Sequence, residues 1–106
     1  MIARVWRGWA TTPEAANLYQ EFLRSTFLPS AHAIGGYDGA QVLRRPVGDE
    51  HEFMTITRFE SLDAIRRFAG EDCEVAHVAP RGRELLARFD PRCLHYELVV
   101  EDKPRF

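Results

Sequence analysis

The hairpin over residues 37–59 constrains the fold of this chain more than any other segment. Two stretches in which apolar and polar residues alternate, roughly 37–45 and 51–59, flank PVGD, whose proline and glycine suit a tight turn. β-Branched and aromatic residues predict a further strand over 2–9 and a last strand over 92–101. The chain therefore supplies four strands, and helical patterns separate the first and the last from the hairpin.

The first helical pattern covers 11–27, where apolar residues recur at the i, i+4 spacing of an amphipathic helix. Thr12 followed by proline fits an N-cap, whereas Thr11 with a glutamate three residues later fits a capping box, so the start lies at either residue. Pro29 is expected to end or kink this helix because it lacks a backbone N–H.

The second helical pattern, LDAIRRFA over 62–69, follows a capping Ser61 and ends at glycine. A short third helix is predicted over 80–89, while 71–78 fits a strand or a helix equally well. The element order is β-α-β-β-α-β with one additional helical turn. This order predicts a single ferredoxin-like α+β domain over 1–106, with a four-stranded antiparallel sheet and helices on one side.

Composition excludes several classes of function. A net charge of −2 argues against a dedicated nucleic-acid binder, which carries a basic excess on one face. The sequence has no apolar run of about 18 residues, so we expect no membrane span, and it lacks a secretion signal, so we expect a cytoplasmic protein. Cys73 and Cys93 are expected to be free thiols in that reducing compartment.

The predicted strands have two faces of different character, because neighbouring residues on a strand point to opposite sides. We expect the most aliphatic set to face the helices: Ala3, Val5, Ala40, Val42, Met54, Ile56, Leu94, Tyr96, Leu98 and Val100. The opposite set combines large aromatic side chains with polar ones: Arg4, Trp6, Tyr37, Gln41, Leu43, Phe53, Thr55, Thr57, Phe59, His95, Glu97 and Val99. Such a face is too apolar for water, and we expect another chain to cover it.

Three segments carry a family resemblance, namely MIARVWRG at the start, FMTITRFESLDAIRRFAG in the middle and HYELVV near the end. Together they resemble the antibiotic biosynthesis monooxygenase-like group of dimeric α+β barrels. The resemblance implies a homodimer in which two sheets pack face to face, with a pocket between sheet and helices or within the barrel. Members of the group differ: some resemble cofactor-free oxygenases of polyphenolic or quinol-type substrates, some degrade haem, and many have no known reaction.

The leading functional hypothesis is a cofactor-independent monooxygenase acting on a small aromatic or quinol-like metabolite. Such chemistry needs an apolar slot for an aromatic ring, a base and a group that stabilises an anion. His95 is the candidate base, Glu97 could orient its imidazole, and Arg4 could stabilise the anion. The candidate substrate-binding residues share their face: Trp6, Tyr37, Phe53, Thr57 and Phe59.

The alternative hypothesis is a non-catalytic protein of the same fold that binds a small ligand or only dimerises. Arg4 would then pair with Glu97 across two strands, and the aromatic residues would fill the dimer interface.

Haem degradation is a third hypothesis and depends on His77, which stands where haem-degrading relatives place an iron ligand after the second helix. Those relatives also carry a tryptophan near that helix end and an asparagine on the first strand. This chain has Phe68 near the former position, and its only asparagine, Asn17, lies on the first helix. We therefore expect no cofactor. The four histidines are dispersed, so no metal site is expected either.

Overall fold

The computed structural model describes residues 1–104. The strands are Ile2–Ala10 (β1), Tyr37–Val47 (β2), Glu50–Phe59 (β3), Arg88–Phe89 (β4) and Leu94–Glu97 (β5). The helices are Pro13–Phe22 (α1), Leu28–Ala31 (α2), Leu62–Ala69 (α3) and Pro80–Leu85 (α4), and a π-helical segment, Leu23–Phe27, joins α1 to α2. None of the helices described is long and apolar enough to cross a membrane.

One antiparallel sheet contains all five strands, in the order β2-β3-β1, with β4 and β5 both on the free edge of β1. β5 pairs with the first half of β1, whereas β4 pairs with Gly8 and Trp9 in its second half. The ferredoxin-like α+β prediction is confirmed, but the predicted last strand over 92–101 is shorter. Pro91, which has no N–H to donate to a ladder, lies between the two short strands.

Local signals set the helix ends. The Thr12 hydroxyl accepts the Ala15 N–H at 3.1 Å, so Thr12 is the N-cap of α1. Ser61 accepts the Ala64 N–H in the same way, and α3 ends at Gly70, whose φ of 93° suits glycine. The chain stays helical through Pro29, and the π-helical turn before it relieves the clash of a proline ring with the preceding helical turn.

The helices cover the aromatic face of the sheet, so the predicted assignment of faces is wrong for β1, β3 and β5. Phe53 packs edge-on against Tyr19 of α1, with 5.0 Å between ring centroids. Phe59 stacks on Phe68 of α3 at 6.0 Å. Arg4 is only 5% exposed within this single chain. Large aromatic side chains bury more apolar area against helices than alanine and valine do, which accounts for the reversed arrangement.

The β2 strand follows a different parity because a bulge lies between Tyr37 and Gly39. Beyond the bulge, Val42 stands opposite Thr55 and packs into the core beneath the helices. Leu43 therefore lies on the open face of the sheet, as predicted, although Tyr37 lies on the covered one. One extra residue in a strand reverses the facing of the residues that precede it.

The open face of the sheet is apolar and uncovered. Leu43, Leu94 and Tyr96 are 52%, 58% and 55% exposed, and Val5, Met54 and Ile56 lie between them with intermediate burial. At one end of this face two arginines cover the buried ring of Trp9. The guanidinium carbons of Arg88 and Arg7 lie 4.0 Å and 5.2 Å from the centroid of that ring. The two tryptophans of β1 therefore serve opposite faces of the sheet.

Candidate functional site

A cavity lies between the covered face of the sheet and the helices. It has a volume of about 70 Å³, and most of its wall is apolar. Seven of its lining residues are aromatic: Trp6, Tyr19, Phe22, Phe27, Tyr37, Phe59 and Phe68. Its few polar groups include Arg4, Thr55 and Thr57 from β1 and β3. Largely apolar walls with a few polar groups are typical of small-molecule sites.

A wider and more open space, the vestibule, adjoins the cavity. It has a volume of about 290 Å³ and shares six lining residues with the cavity: Phe27, Phe68, Ala76, His77, Val78 and Ala79. Arg83 of α4 lines the vestibule but not the inner cavity. The inner cavity alone is smaller than the roughly 150 Å³ of an apolar cavity that holds benzene, so an aromatic ligand must extend into the vestibule. The two spaces together reach the lower end of the range for small-molecule pockets, roughly 300 Å³.

Arg4 brings a guanidinium group to the cavity wall. Its Nη1 donates hydrogen bonds to the Cys73 carbonyl and to His95 Nε2, the latter at 2.8 Å, and its Nη2 donates to the Val75 carbonyl at 3.1 Å. Phe68 lies 5.7 Å from the guanidinium carbon. An arginine side chain has five N–H donors, so two remain after these three bonds, and the Cys93 thiol is a further hydrogen-bond partner beside them.

The charge of Arg4 is not neutralised by a carboxylate. All three acceptors are neutral, and within residues 1–104 no aspartate or glutamate lines the cavity or forms an ion pair with Arg4. Burial lowers the pKa of Arg4, yet a guanidinium stays protonated in proteins. A buried positive charge without a counter-ion attracts an anion strongly, because low polarity strengthens the interaction.

His95 and Glu97 do not reach the cavity. His95 stands opposite Arg4 in the β1–β5 ladder and accepts its N–H, so the Nε2 lone pair is occupied. Burial and the charge of Arg4 both lower the pKa of His95, which keeps the imidazole neutral. Glu97 stands opposite Ile2 and is exposed. The Arg4–Glu97 pair considered as a structural alternative is therefore not formed, and His95 is a partner of Arg4 rather than a base facing a ligand.

The other predicted site residues divide into two groups. Trp6, Tyr37, Thr57 and Phe59 line the cavity together with Arg4. The Trp6 indole N–H is fixed by the Asp90 carbonyl at 2.7 Å, which holds its ring in place. Phe53 does not line the cavity, since it is a core residue only 1% exposed.

Many lining residues were not among the predicted site residues, and Tyr19 and Arg83 are the two that carry a titratable group into the argument below. Tyr19 follows the i, i+4 apolar pattern of α1, which indicates burial but not a cavity. Burial raises the pKa of the Tyr19 phenol, so the Tyr19 side chain stays protonated in this wall. Cys93 also lines the cavity, and burial raises the pKa of its free thiol.

The residues at the predicted haem position do not fit haem. His77 lines both the cavity and the vestibule, but its Nε2 donates to the Ala69 carbonyl at 2.6 Å. The inner cavity, at about 70 Å³, is too small for a four-ring macrocycle. Among residues 1–104, no group of three or more potential metal ligands occurs.

No protein-family model matches the sequence, and no curated protein does. Solved structures match it over nearly its full length. The heme-degrader MhuD from Mycobacterium tuberculosis, solved with two hemes bound in its active site, has a TM-score of 0.64 at 20% identity and covers 97% of this chain and 100% of its own. A Bacillus cereus protein assigned provisionally to the antibiotic biosynthesis monooxygenases has a TM-score of 0.67 at 13% identity, covering 100% and 98%.

A third match is the monooxygenase from the gene ActVA-Orf6 of Streptomyces coelicolor in complex with the ligand nanaomycin D. Its TM-score is 0.62 at 16% identity, and the alignment covers 98% of this chain and 92% of the other. The chain thus has the α+β fold of the antibiotic biosynthesis monooxygenases. The resemblance inferred from the sequence is confirmed at the level of fold.

Proposed function

We propose that this chain binds a small aromatic or quinol-like metabolite in its cavity and oxygenates it without a cofactor. The observation that carries the proposal is the buried guanidinium of Arg4, which has no carboxylate partner within residues 1–104 and lines a cavity walled by aromatic rings. The structural likeness to a monooxygenase in complex with nanaomycin D supports a cavity that holds a ligand.

In this proposal Arg4 stabilises the ionised hydroxyl of the bound substrate. The N–H groups that Cys73, Val75 and His95 leave unused donate to the oxygen anion of the substrate in this proposal. Trp6 and Phe59 lie in the same cavity wall and hold the aromatic ring. The phenolate is the electron-rich form that reacts with oxygen, so lowering the pKa of the substrate hydroxyl activates it.

The proposed reaction is a monooxygenation in which the substrate supplies all the electrons. An electron pair moves from the phenolate oxygen into the ring, and the para carbon forms a C–O bond to O₂. Protonation gives a hydroperoxide, whose O–O bond breaks as the para hydrogen leaves. The net change is phenol plus O₂ to para-quinone plus water, so the phenol loses four electrons and O₂ gains them.

His77 replaces His95 as the candidate base. It is the only histidine lining the cavity among the residues described, and it lies where the cavity meets the vestibule. Because its Nε2 donates to Ala69, its Nδ1 keeps a lone pair. His77 is thus placed to pass the substrate proton to solvent.

The test is oxygen consumption with 1-naphthol, a phenol whose para carbon carries hydrogen, followed by detection of 1,4-naphthoquinone. We expect the wild type to consume one O₂ per quinone formed and, with ¹⁸O₂, to place one labelled oxygen in the product. Arg4→Met should abolish the reaction. Arg44→Met is the matched control because Arg44 bonds to Asn17 and Gln20 outside the cavity.

Two results would contradict the proposal. Binding of 1-naphthol without oxygen uptake would favour the non-catalytic alternative. Equal activity in Arg4→Met and the wild type would remove Arg4 from the mechanism.

We also propose that the chain forms a homodimer through the open face of the sheet. Leu43, Leu94 and Tyr96 form an exposed apolar patch there, and such patches usually mark interfaces. The partner would cover this face rather than the Trp6 face, which the helices already cover.

Sedimentation at micromolar concentration tests the homodimer. Leu43→Arg should shift the protein to monomer, whereas Leu18→Arg should not, because Leu18 has nearly the same exposure, 51%, but lies on α1. A monomeric wild type would exclude this proposal.

A further inference from the structure

The walls of the cavity and the vestibule are positively charged although the chain as a whole is not. Two arginines line these spaces, and within residues 1–104 no carboxylate does. The whole chain has 16 acidic and 14 basic residues. Charge of one sign in a cleft with apolar walls raises the local concentration of ligands of the opposite sign.

Arg83 carries the second of these charges, at the mouth. Its Nε donates only a long bond to the Val78 carbonyl, at 3.4 Å, and its guanidinium lies 5.5 Å from the Phe89 ring. In the part of the chain that the structure covers, its two Nη groups make no hydrogen bond and no carboxylate pairs with it. Arg81, on the same helix, pairs instead with Glu84 at 2.9 Å.

The two arginines stand at different depths. Arg4 lines the inner cavity but not the vestibule, and Arg83 lines the vestibule but not the inner cavity. The aromatic ring of Phe68 lines both spaces and thus the path between them.

We propose that the ligand is an aromatic carboxylate that carries a hydroxyl at one end and the carboxylate at the other. The ring that bears its hydroxyl enters the inner cavity beside Arg4, and the end that bears the carboxylate extends into the vestibule to Arg83. This inference rests on the proposed function in taking the cavity as the ligand site, and it goes further by naming the ligand class.

A carboxylate suits Arg83 for geometric reasons. The planar guanidinium has parallel N–H groups that match the two oxygens of a carboxylate, and those groups are free here. The vestibule is open, so water screens the interaction in part. We therefore expect the carboxylate to improve affinity about tenfold, equivalent to about 1.4 kcal/mol.

The experiment compares the binding of 6-hydroxy-2-naphthoate and 2-naphthol by calorimetry. These probes share the ring and the hydroxyl, and differ in a carboxylate at the far end. We expect the wild type to bind the naphthoate about tenfold more tightly, with a preference that weakens as salt is added. Arg83→Gln should remove the preference, whereas Arg81→Gln should keep it, because Arg81 does not line the vestibule.

Three results would overturn the inference: equal affinity for the two probes, equal effects of Arg83→Gln and Arg81→Gln, or no binding of either probe. The proposed function fails separately. A preference for the naphthoate without oxygen uptake by any phenol would keep the ligand class and exclude the monooxygenase. Oxygen uptake with 1-naphthol but no preference for the carboxylate would keep the monooxygenase and exclude the proposed ligand class.

Discussion

The structure predicts that a phenol bound beside Arg4 has a lowered pKa. A phenolate about 4 Å from a guanidinium gains about 4 kcal/mol at an effective dielectric constant of about 20. One pKa unit corresponds to about 1.4 kcal/mol, so the charge alone could lower the pKa by about 3 units. Burial acts in the opposite direction, as the raised pKa of Tyr19 in the same wall shows. We expect a net lowering of about 1 to 2 units.

The assay is a spectrophotometric pH titration of 2-naphthol in the presence of saturating protein, compared with free 2-naphthol. The phenol and the phenolate absorb differently, so the pKa of the bound probe is read directly. Arg4→Lys keeps the positive charge and should keep most of the lowering. Arg4→Met removes the charge and should raise the pKa of the bound probe above that of the free one, because only burial then acts.

The result that would refute this reasoning is a wild-type pKa for the bound probe at or above the free value. Arg4 would then be screened from the ligand or fully satisfied by its three existing acceptors. Circular dichroism of each variant separates this outcome from loss of folding, which matters because Arg4 ties the Cys73 and Val75 carbonyls to β1.

Three further predictions concern stability and haem. Burial and the charge of Arg4 lower the pKa of His95, so below about pH 6.5 the unfolded chain binds a proton at His95 that the folded chain does not bind. Urea melts should therefore show the free energy of unfolding decreasing as the pH falls below about 6.5. The variant His95→Gln should flatten this pH dependence. Gly36→Ala should cost roughly 2–4 kcal/mol in the same melts, because φ is +87° and the new Cβ would lie 2.6 Å from the Ala64 Cβ. Gly48→Ala, at φ +59° with open space around it, should cost about 1 kcal/mol, and equal losses would contradict the packing argument. Haemin titration should leave the Soret band unshifted, and a shift abolished by His77→Ala would restore haem as a ligand.

The elements of the fold were predictable because their signals are local. The N-cap at Thr12, the cap at Ser61 and the glycine after α3 each depend on a few neighbouring residues. The turn between β2 and β3 is equally local, with Gly48 at positive φ. The end of the chain was harder to predict, since β4 has only two residues and depends on pairing with Gly8 and Trp9 far along the sequence.

The facing of the sheet was not predictable from parity alone. Alternation separates the residues of a strand into two sets, but it does not say which set the helices cover. That choice depends on total packing, and here Tyr19 and Phe68 of the helices pack against Phe53 and Phe59 of the sheet. The bulge after Tyr37 also changes which residues of β2 face the helices, and the alternation of residue types in the sequence does not predict that bulge.

The candidate site was predictable in part for the same reason. Arg4, Trp6, Thr57 and Phe59 come together because they share one face, whichever side the helices cover. The role of His95 depended on a distance, and at 2.8 Å from the Arg4 guanidinium its ring serves that group instead of a ligand.

The alternation of β1 and β3 separates the proposed ligand site from the proposed dimer face. Arg4 and Trp6 point to the cavity, whereas Val5 between them points to the open face, and the same holds for Thr55 and Ile56 on β3. In this arrangement a dimer formed through the open face leaves the cavity mouth at α4 uncovered, because the helices lie on the other side of the sheet. Each subunit then carries a complete set of lining residues, and affinity for the ligand depends on the cavity alone. In the proposed dimer the partner would pack the second face of the strands that carry Arg4 and Thr55.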